Sequence, residues 1–376
     1  MKIALANNLY YPYNRGGAES VVKQMIAALK AAGHEVFLIT TEPKNESTAT
    51  PPEIITKDGL KTYYFPSGYM NLADRSPYLH FFWHFNNLFS FHRSAAIKKV
   101  LLAEKTELII THNLMGLGFY LPVIIRKLKI RHEHYLHDIQ LLYPSGLMLL
   151  GHEKIVDNLS AKLYQLFTRA FFASPAKVSS PSFWLLGQYR QRGFFHDSET
   201  EIRNMGTESA TQPARDASGE IKPAETDPRS AQKMKNFLFV GQIESHKGII
   251  LLIKAFISAC ETDASIRLSV VGDGILLDEA KALAAANERI SFLGRLDAGG
   301  VRDLMVASDC LVVPSLCYEN APTTIFEAHS VGLPVLASNI GGIPEIVNEQ
   351  DKLFRAGDFM DLKNNILNLS QAKQSE

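Results

Sequence analysis

The sequence has only three cysteines among 376 residues, and none of them forms the CxxC pair of a thiol-rich zinc site. This scarcity excludes a disulfide framework and makes a reducing cytoplasm the expected compartment. No apolar run approaches the roughly 18 to 20 residues that span a bilayer, and the first apolar run, residues 3–6, is too short for a signal-peptide core. We therefore expect neither secretion by that route nor a membrane-spanning helix.

The chain also lacks net charge, because 39 Lys and Arg residues balance 39 Asp and Glu residues. No overall electrostatic field would draw it to DNA or RNA, so we expect no nucleic-acid partner. Apolar residues make up 46% and charged residues 21%, which is ordinary for globular proteins and argues against general disorder. The length predicts two or three domains with ample cores.

Several motifs of common cofactor sites are missing. GxGxxG and GxxxxGK(S/T) do not occur, so dinucleotide and P-loop sites lose their sequence support. In the stretch HEHYLHD, the zinc motif HExxH fails because Leu136 occupies the position of its second histidine. His132 and His134 would still share one face of a strand, which keeps a metal site as the alternative. We expect no metal.

Short apolar strands alternate with helices, which is typical of parallel sheets covered by helices on both faces. Residues 207–235 break the alternation and are rich in Ala, Ser, Thr, Pro and charge, which predicts a flexible linker. We predict an N-terminal domain over 1–206, this linker, and a C-terminal domain over 236–376. The predicted strands are 2–6, 35–40, 108–111, 132–136, 237–240, 266–271, 290–293, 311–313 and 334–337, and the predicted helices are 18–32, 248–260, 276–287 and 361–369.

Two such α/β halves predict a ligand cleft between them, at the carboxyl ends of the strands. Gly16 and Gly17 lie where a strand gives way to a helix, so backbone amides there could hold an anion such as phosphate. His137 and Asp138 follow a predicted strand, where a neutral imidazole could exchange a hydrogen bond with a polar substrate. A structural turn and a structural histidine are the alternatives.

The second half begins with VGQIESHKG at 240–248, in which Gly241 and Gln242 follow a strand. Lys247 lies at the start of the next predicted helix, where its ammonium and the helix N-terminus would both face an anion. A solvated surface lysine is the alternative. Asp273 stands between two glycines, which indicates either a tight turn or a close approach of the backbone to a ligand.

Glu319 and Glu327 form the most informative pair. Glu319 lies on a loop after a strand, Pro322 opens a helix, and Glu327 lies about one and a half turns inside it. One carboxylate on a loop and one held by a helix are suited to accepting hydrogen bonds from vicinal sugar or ribose hydroxyls. The alternative is a pair of acidic residues that merely stabilise an exposed helix terminus.

Taken together, these segments resemble the retaining glycosyltransferases of family 4, also called glycosyltransferase group 1. The resemblance implies the GT-B fold, in which two Rossmann-like domains face a central cleft. Its most specific motif is E-x7-E, from Glu319 to Glu327. The segments that carry it are GGAE at 16–19, HD at 137–138, RNMG at 203–206, VGQIESHKG at 240–248, VVGDG at 270–274, ENAPTTIFEA at 319–328 and GLPVLAS at 332–338.

The resemblance implies metal-independent transfer of a hexose-type sugar from a UDP- or GDP-linked donor to a hydroxyl of a glycan or lipid-linked glycan, as in polysaccharide biosynthesis. It implies no cofactor beyond the nucleotide-sugar. His137 would lie beside the anomeric carbon, Lys247 would neutralise the leaving phosphates, and Glu319 would hold the sugar. The implied donor-binding residues are Gly16, Gly17, Gly241, Gln242, Asp273, Thr323, Thr324 and Glu327, with Gly17 at the diphosphate, the Thr323 and Thr324 amides at the sugar and Glu327 at the ribose.

Three departures from the family pattern bear on activity. Gln242 stands where the family usually has an arginine, the linker is longer than usual, and the sequence stops soon after the helix at 361–369, where family members commonly have further helices. Two alternatives therefore stay open: a catalytically weak or silent nucleotide-sugar-binding protein of the same fold, and a GT-B epimerase that acts on the nucleotide-sugar itself.

Two segments bear on the acceptor. Residues 78–91 are dense in aromatics and histidine, and residues 154–172 mix basic residues with Leu and Phe at partly helical spacing. We favour a buried core for these segments. The alternative is peripheral contact with the inner face of a membrane, which fits a lipid-linked acceptor.

Overall fold

The structure, a computed structural model, describes residues 1–13, 16–43, 52–69, 77–203 and 235–371, with the backbone alone at 77–81. Contacts divide the chain into two compact units. The first consists of Met1–Leu147 and Glu153–Met205, and the second of Met148–His152 and Gly206–Glu376. The predicted linker, apart from Lys235, lies outside the described residues, and so does the RNMG segment after Arg203.

The first unit contains an eight-stranded sheet with the order β3-β4-β2-β1-β5-β6-β7-β8, parallel throughout except that β3 is antiparallel to β4. Its strands are β1 Lys2–Ala6, β2 Glu35–Pro43, β3 Glu53–Lys57, β4 Leu60–Ser67, β5 Leu108–Thr111, β6 Arg131–Tyr135, β7 Lys177–Ser180 and β8 Glu199–Ile202. Its α-helices are α1 Gly17–Ala31, α2 Pro77–Leu88, α3 Phe91–Ala103, α4 Leu121–Lys127, α5 Leu159–Phe172 and α6 Phe183–Arg190.

Strand β1 lies at the centre of this sheet, paired with β2 on one side and β5 on the other. Ile3, Leu5 and their neighbours in β1 are fully buried, because helices cover both faces of a parallel sheet. This burial accounts for the continuous apolar run. Ile3 pairs with Val36 and Leu108, so the carboxyl ends of β1 and β5 lie side by side.

The second unit contains a six-stranded parallel sheet with the order β11-β10-β9-β12-β13-β14. Its strands are β9 Asn236–Val240, β10 Arg267–Val271, β11 Ile290–Gly294, β12 Cys310–Val313, β13 Val335–Ser338 and β14 Lys352–Phe354. Its α-helices are α7 Ile249–Thr262, α8 Leu277–Ala284, α9 Ala298–Ala307, α10 Thr323–Ser330 and α11 Phe359–Gln371. Strands β10 and β11 lie on one side of β9, and β12 to β14 lie on the other. Because all six strands are parallel, the loops after β9, β10 and β12 lie at the same edge of the sheet, at its carboxyl ends.

The two parallel sheets confirm the predicted α/β class. All nine predicted strands are present, with ends that differ by a few residues at most. The prediction of a buried core at 78–91 and 154–172 is wrong at several positions, since Phe82, Phe85, Leu163 and Leu166 are each more than half exposed. No α-helix among the described residues is long and apolar enough to cross a membrane.

Candidate active site

The loops after β9 and β10 in the second unit are joined through their backbones. The amide of Gly241 donates to the carbonyl of Val271 at 3.0 Å, and that of Ile243 donates to the carbonyl of Asp273 at 2.9 Å. Gly272 has a φ of +140°, and a Cβ there would lie 1.8 Å from the Gly241 carbonyl oxygen. The glycine before Asp273 is therefore required by the packing of one loop on the other.

Lys247 and Glu319 meet at this edge of the sheet. Lys247 Nζ donates to Glu319 Oε1 at 2.6 Å, and Ser315 Oγ donates to the same oxygen at 3.1 Å. The Cys317 thiol lies 3.6 Å from that oxygen. The lysine ends the 3-10 turn Ser245–Lys247 rather than opening α7, which begins at Ile249. The predicted basic and acidic residues thus form one ion pair.

Both members of this pair stay charged despite little exposure. Only 16% of the Glu319 side chain and 27% of the Lys247 side chain are exposed. Burial by itself would raise the pKa of Glu319, but the Lys247 ammonium and the hydrogen bonds to Oε1 lower it overall. Burial likewise opposes the charge of Lys247, and Glu319 nevertheless raises the lysine pKa. Mutual attraction outweighs desolvation at this site.

The backbone of Glu319 is fixed by a loop that sequence reasoning missed. Gly342 donates its amide to the Glu319 carbonyl at 2.7 Å. Gly341 has a φ of +63°, and a Cβ there would lie 2.3 Å from the same carbonyl oxygen. The Gly-Gly pair after β13 could have indicated a close backbone approach, but its partner could not be read from one sequence.

A second segment supports the same loop from the other direction. Leu150 donates its amide to the carbonyl of Leu316 at 2.9 Å, and Tyr318 donates to the carbonyl of Met148 at 2.8 Å. Leu149 and Cys317 form an antiparallel bridge between them. Residues 148–152 therefore belong to the second unit, although the sequence placed them in the middle of the first domain.

Helix α10 carries three of the predicted donor-binding residues, Thr323, Thr324 and Glu327. Pro322 precedes the helix, and Thr323 and Thr324 form its first turn, where backbone amides have no carbonyl partner within the helix. Glu327 lies on the exposed side of α10, yet nearby protein atoms desolvate its carboxyl enough to raise its pKa. The carboxylate is held by the helix, as predicted, and is open to a ligand.

Gln242 and Asp273 are exposed at the ends of β9 and β10. Asp273 Oδ1 accepts the amide of Gly274 at 2.8 Å, which is the hydrogen bond of a tight turn. Gln242 has a neutral amide at the position where the resembling family usually has a positively charged arginine. Lys247 therefore supplies the positive charge beside Glu319.

In the first unit, the partly buried His137 pairs with a second imidazole. His137 Nε2 is 2.8 Å from His112 Nδ1, and His112 is fully buried after β5. Burial, reinforced by His134, lowers the pKa of His137 to about 3, and burial lowers the pKa of His112 well below its usual value. Both rings are neutral at pH 7, so one nitrogen of the pair donates and the other accepts. Sequence reasoning missed His112.

Asp138 belongs to a polar network beside this pair. Its carboxylate accepts the amide of Gln140 at 2.8 Å and the side-chain amide of Asn113 at 3.2 Å. Burial raises the pKa of Asp138 to about 6, and these two hydrogen bonds oppose that rise. Asn7 extends the network, because its side-chain oxygen accepts the Asn113 backbone amide at 3.2 Å.

His132 and His134 are not part of that network. Both lie 2.8 Å from the Thr111 hydroxyl, and both are buried. Burial lowers the pKa of each to about 3. They share one face of β6, as predicted, and that face packs against the protein interior. Within the described ranges, no group of three or more His, Cys, Asp or Glu side chains is placed to hold a metal ion.

The start of α1 differs from a simple anion site. Gly16 donates its amide to Glu19 Oε2 at 3.0 Å, and Glu19 is buried. A carboxylate of the protein therefore already faces this helix N-terminus, where it is stabilised by the helix dipole. Gly17 is the first residue of α1. An anionic ligand at Gly16 would have to displace Glu19.

Known proteins clarify what these sites belong to. The Glycosyltransferase Family 4 model matches residues 15–202, and the model of glycosyl transferases group 1 matches residues 234–372. The chain belongs to glycosyltransferase family 4. Both halves of the sequence are covered, including the segments that carry the resemblance at 16–19 and 319–328.

Two curated proteins are similar to this chain over most of its length. An uncharacterized 42.6 kDa protein in the cps region of Klebsiella pneumoniae is 24% identical over 368 residues, which cover 96% of this chain and 91% of that protein. One component of the human phosphatidylinositol N-acetylglucosaminyltransferase is 23% identical. That match covers 92% of this chain and 64% of the human protein's length.

Solved structures confirm the GT-B fold. Sucrose-phosphate synthase from Thermosynechococcus elongatus gives a TM-score of 0.69 at 21% identity, covering 98% of this chain and 92% of the other. Anabaena HepE in complex with UDP and glucose gives 0.62 at 15% identity, covering 99% and 90%. The expected cleft between the two domains remains a prediction for this family member.

Proposed function

We propose that this glycosyltransferase is a retaining enzyme that moves a hexose-type sugar from a nucleotide-sugar to a hydroxyl of a glycan or lipid-linked glycan. The observation that carries the proposal is the buried Lys247–Glu319 ion pair beside the N-terminus of α10. It combines a cation for phosphate with a carboxylate for sugar hydroxyls at the carboxyl ends of β9 and β12.

On the donor side, Lys247 has three N–H donors, and the ion pair uses one of them on Glu319. The other two would serve the diphosphate. Lys247, Ser315 and Cys317 all contact Oε1 of the Glu319 carboxylate, so the proposal assigns Oε2 to a sugar hydroxyl. Glu327, exposed on α10, would accept hydrogen bonds from the ribose.

The proposed chemistry is a front-face displacement. The bond from the anomeric carbon to the leaving phosphate oxygen breaks, and the acceptor oxygen bonds to the same face of that carbon. The acceptor proton passes to the leaving phosphate, so the protein supplies position and charge stabilisation. Neutral His137 would contact the sugar, and a neutral ring fits a site where positive charge builds on the sugar ring.

The test is donor-dependent release of free nucleotide across a panel of UDP- and GDP-sugars, with glycan and lipid extracts as acceptors. UDP-glucose is the first donor to try, because the similar Anabaena structure contains UDP and glucose. We expect turnover that persists in EDTA. Loss of turnover in EDTA and its recovery with magnesium or manganese would contradict metal-independent transfer. Product formed from donor alone, without acceptor, would favour epimerisation instead.

The second candidate function is a silent nucleotide-sugar-binding protein, favoured by one observation. Gln242 is exposed at the end of β9 and carries no charge for the diphosphate. Under this alternative the chain would bind nucleotide-sugars, and no acceptor would stimulate nucleotide release. The Gln242→Arg variant distinguishes the two, because it would create activity in a silent protein and only adjust it in an enzyme.

A further inference from the structure

Helix α5 of the first unit is turned so that its leucines face outward. Leu159, Leu163 and Leu166 are 85%, 57% and 52% exposed. They are spaced by four and three residues, so they form one stripe along the helix. In most amphipathic surface helices such a stripe faces the core.

The opposite face of α5 explains this orientation. Gln165 and Thr168 are buried there and hold the chain between β6 and α5. Gln165 Nε2 donates to the carbonyl of Val156 at 2.6 Å, and Thr168 Oγ1 donates to that of Leu141 at 2.7 Å. These hydrogen bonds, together with the buried Ala161 and Phe172, fix this side of α5 inward, and the leucine stripe is left outside.

The apolar surface continues from α5 onto α2 and α3. Phe85 and Phe91 are 55% and 54% exposed, and Phe89 lies between them along the chain. The Phe89 ring centroid is 5.2 Å from that of Phe167 and 5.6 Å from that of Phe171, both on α5. These ring contacts join the three helices. We use the term outer apolar surface for Leu159, Leu163, Leu166, Phe85 and Phe91.

The helices that carry this surface contain charged side chains of one sign only, and the exposed Asp157 in the turn before α5 is paired with Arg192 at 2.9 Å. Helices α2 to α6 contain no Asp or Glu and eight Lys or Arg residues, although the whole chain has 39 of each kind. Lys162 is exposed beside the leucine stripe, and Lys98 and Lys99 are exposed on α3. Exposed apolar side chains on helices that carry only positive charges are the pattern of a helix that lies in the interface of an anionic bilayer.

We propose that the outer apolar surface docks the first unit on a membrane containing anionic lipids. Its leucine and phenylalanine side chains would enter the acyl boundary, and its lysines would contact lipid phosphates. A second copy of the chain is a poorer partner, because symmetric pairing would bring cations against cations. The proposal does not depend on sugar transfer, since vesicle binding is measured without donor or acceptor.

The experiment is co-sedimentation of the full chain with vesicles of phosphatidylcholine alone or of phosphatidylcholine with phosphatidylglycerol. We expect binding to the anionic vesicles, and weaker binding as salt is raised. The Leu163→Gln/Leu166→Gln variant should lose about tenfold or more in binding, because two apolar anchors are removed. Lys162→Gln should lose about fivefold, since one cation near the surface is worth about that factor.

Controls separate docking from misfolding and self-association. Val306→Gln on α9 of the second unit replaces an apolar residue of similar exposure and should bind vesicles like wild type. Thermal unfolding of the double variant should match wild type, because glutamine is a good helix former and the replaced side chains are exposed. Three outcomes would overturn the proposal: no binding to anionic vesicles, equal binding by wild type and the double variant, or a wild-type dimer that the double variant converts to monomer without vesicle binding.

Discussion

In the first unit the imidazoles after β5 and β6 are kept neutral, whereas the lysine and the glutamate after β9 and β12 in the second unit are kept charged. His112 and His137 share a hydrogen bond as uncharged rings, and Lys247 and Glu319 form an ion pair. Both sites lie at the carboxyl ends of parallel strands and both are largely buried. Burial alone therefore does not decide the charge of a group, and the chemistry of its partner does.

The difference matches the two roles that the proposed reaction requires, one at the diphosphate and one at the sugar ring. A diphosphate carries negative charge and requires a cation that stays protonated, which Lys247 provides. A sugar ring that develops positive charge is destabilised by a neighbouring cation, so the group that contacts it should be uncharged, as His137 is. We therefore expect the site in the second unit to depend on charge and the site in the first unit to depend on neutrality.

Removing the cation should have the largest effect. We expect Lys247→Ala to reduce donor-dependent nucleotide release by about 100- to 1000-fold, because leaving-group charge loses its main compensation. It should also lower the free energy of unfolding by about 3 kcal/mol, since Glu319 would be left buried without its partner.

The matched control is Lys254→Ala, which removes an exposed lysine from α7 and should leave both measurements unchanged. Adding Glu319→Gln to Lys247→Ala should restore stability without restoring turnover. Normal turnover by Lys247→Ala would mean that the phosphate site lies elsewhere and that the charge on Lys247 has no role in transfer.

Glu327 tests the carboxylate on α10. We expect Glu327→Ala to weaken donor binding by about 2 to 3 kcal/mol with the fold intact, because charge-assisted hydrogen bonds to the ribose are lost. Titration calorimetry with the preferred nucleotide-sugar measures this, and Glu349→Ala, also exposed in the second unit, is the control. Wild-type affinity in the Glu327 variant would contradict the ribose assignment.

Much of this second site could be predicted from the sequence, because its residues lie close together along the chain. Glu319, Pro322 and Glu327 belong to one loop and one helix, and local spacing placed them correctly. The contact between Glu319 and Lys247 spans 72 residues, and only the resemblance to family 4 assigned both residues to one donor site.

The parts that could not be predicted depend on strand register or on tertiary packing. His112 meets His137 because β5 pairs with β6 so that Thr111 lies opposite His134, and register is not readable from a single sequence. The orientation of helix α5 was mispredicted for another reason. Apolar periodicity predicts its leucines inward, but hydrogen bonds of Gln165 and Thr168 to backbone carbonyls fix the opposite face inward.

Acid should destabilise the first unit through its buried neutral histidines, which include His132 and His134 beside the His112–His137 pair. Above pH 6.5 a buried histidine is neutral in the folded and unfolded chain, so it adds no pH dependence to the free energy of unfolding. As the pH falls from 6.5 towards 3, only the unfolded chain binds the proton, and stability falls by about 1.4 kcal/mol per pH unit for each such histidine. His132, His134 and His137, with pKa values of about 3, all contribute.

The measurement is urea unfolding between pH 8 and pH 5, comparing wild type with His134→Asn. The variant should lose one histidine's share of the slope, about 2 kcal/mol at pH 5, whatever its stability at pH 8. His92→Gln removes an exposed histidine and should keep the wild-type slope. An unchanged slope in His134→Asn would mean that this ring is not kept neutral by folding.

Gln242→Arg gives the smallest expected effect and sharpens the comparison most directly, because it adds charge to the site that already depends on charge. Gln242 is exposed, so solvent screens the added guanidinium, and we expect tighter nucleotide binding by about 1 kcal/mol. Glutamine can already donate an amide hydrogen bond to phosphate, so we expect the arginine to improve nucleotide binding only modestly. Nucleotide release and binding are measured for both proteins at low and moderate salt, and the gain should shrink as salt rises. If the variant is active where wild type is inactive with every donor and acceptor, the silent-binder alternative is correct, and the charge on Lys247 alone is too little for transfer.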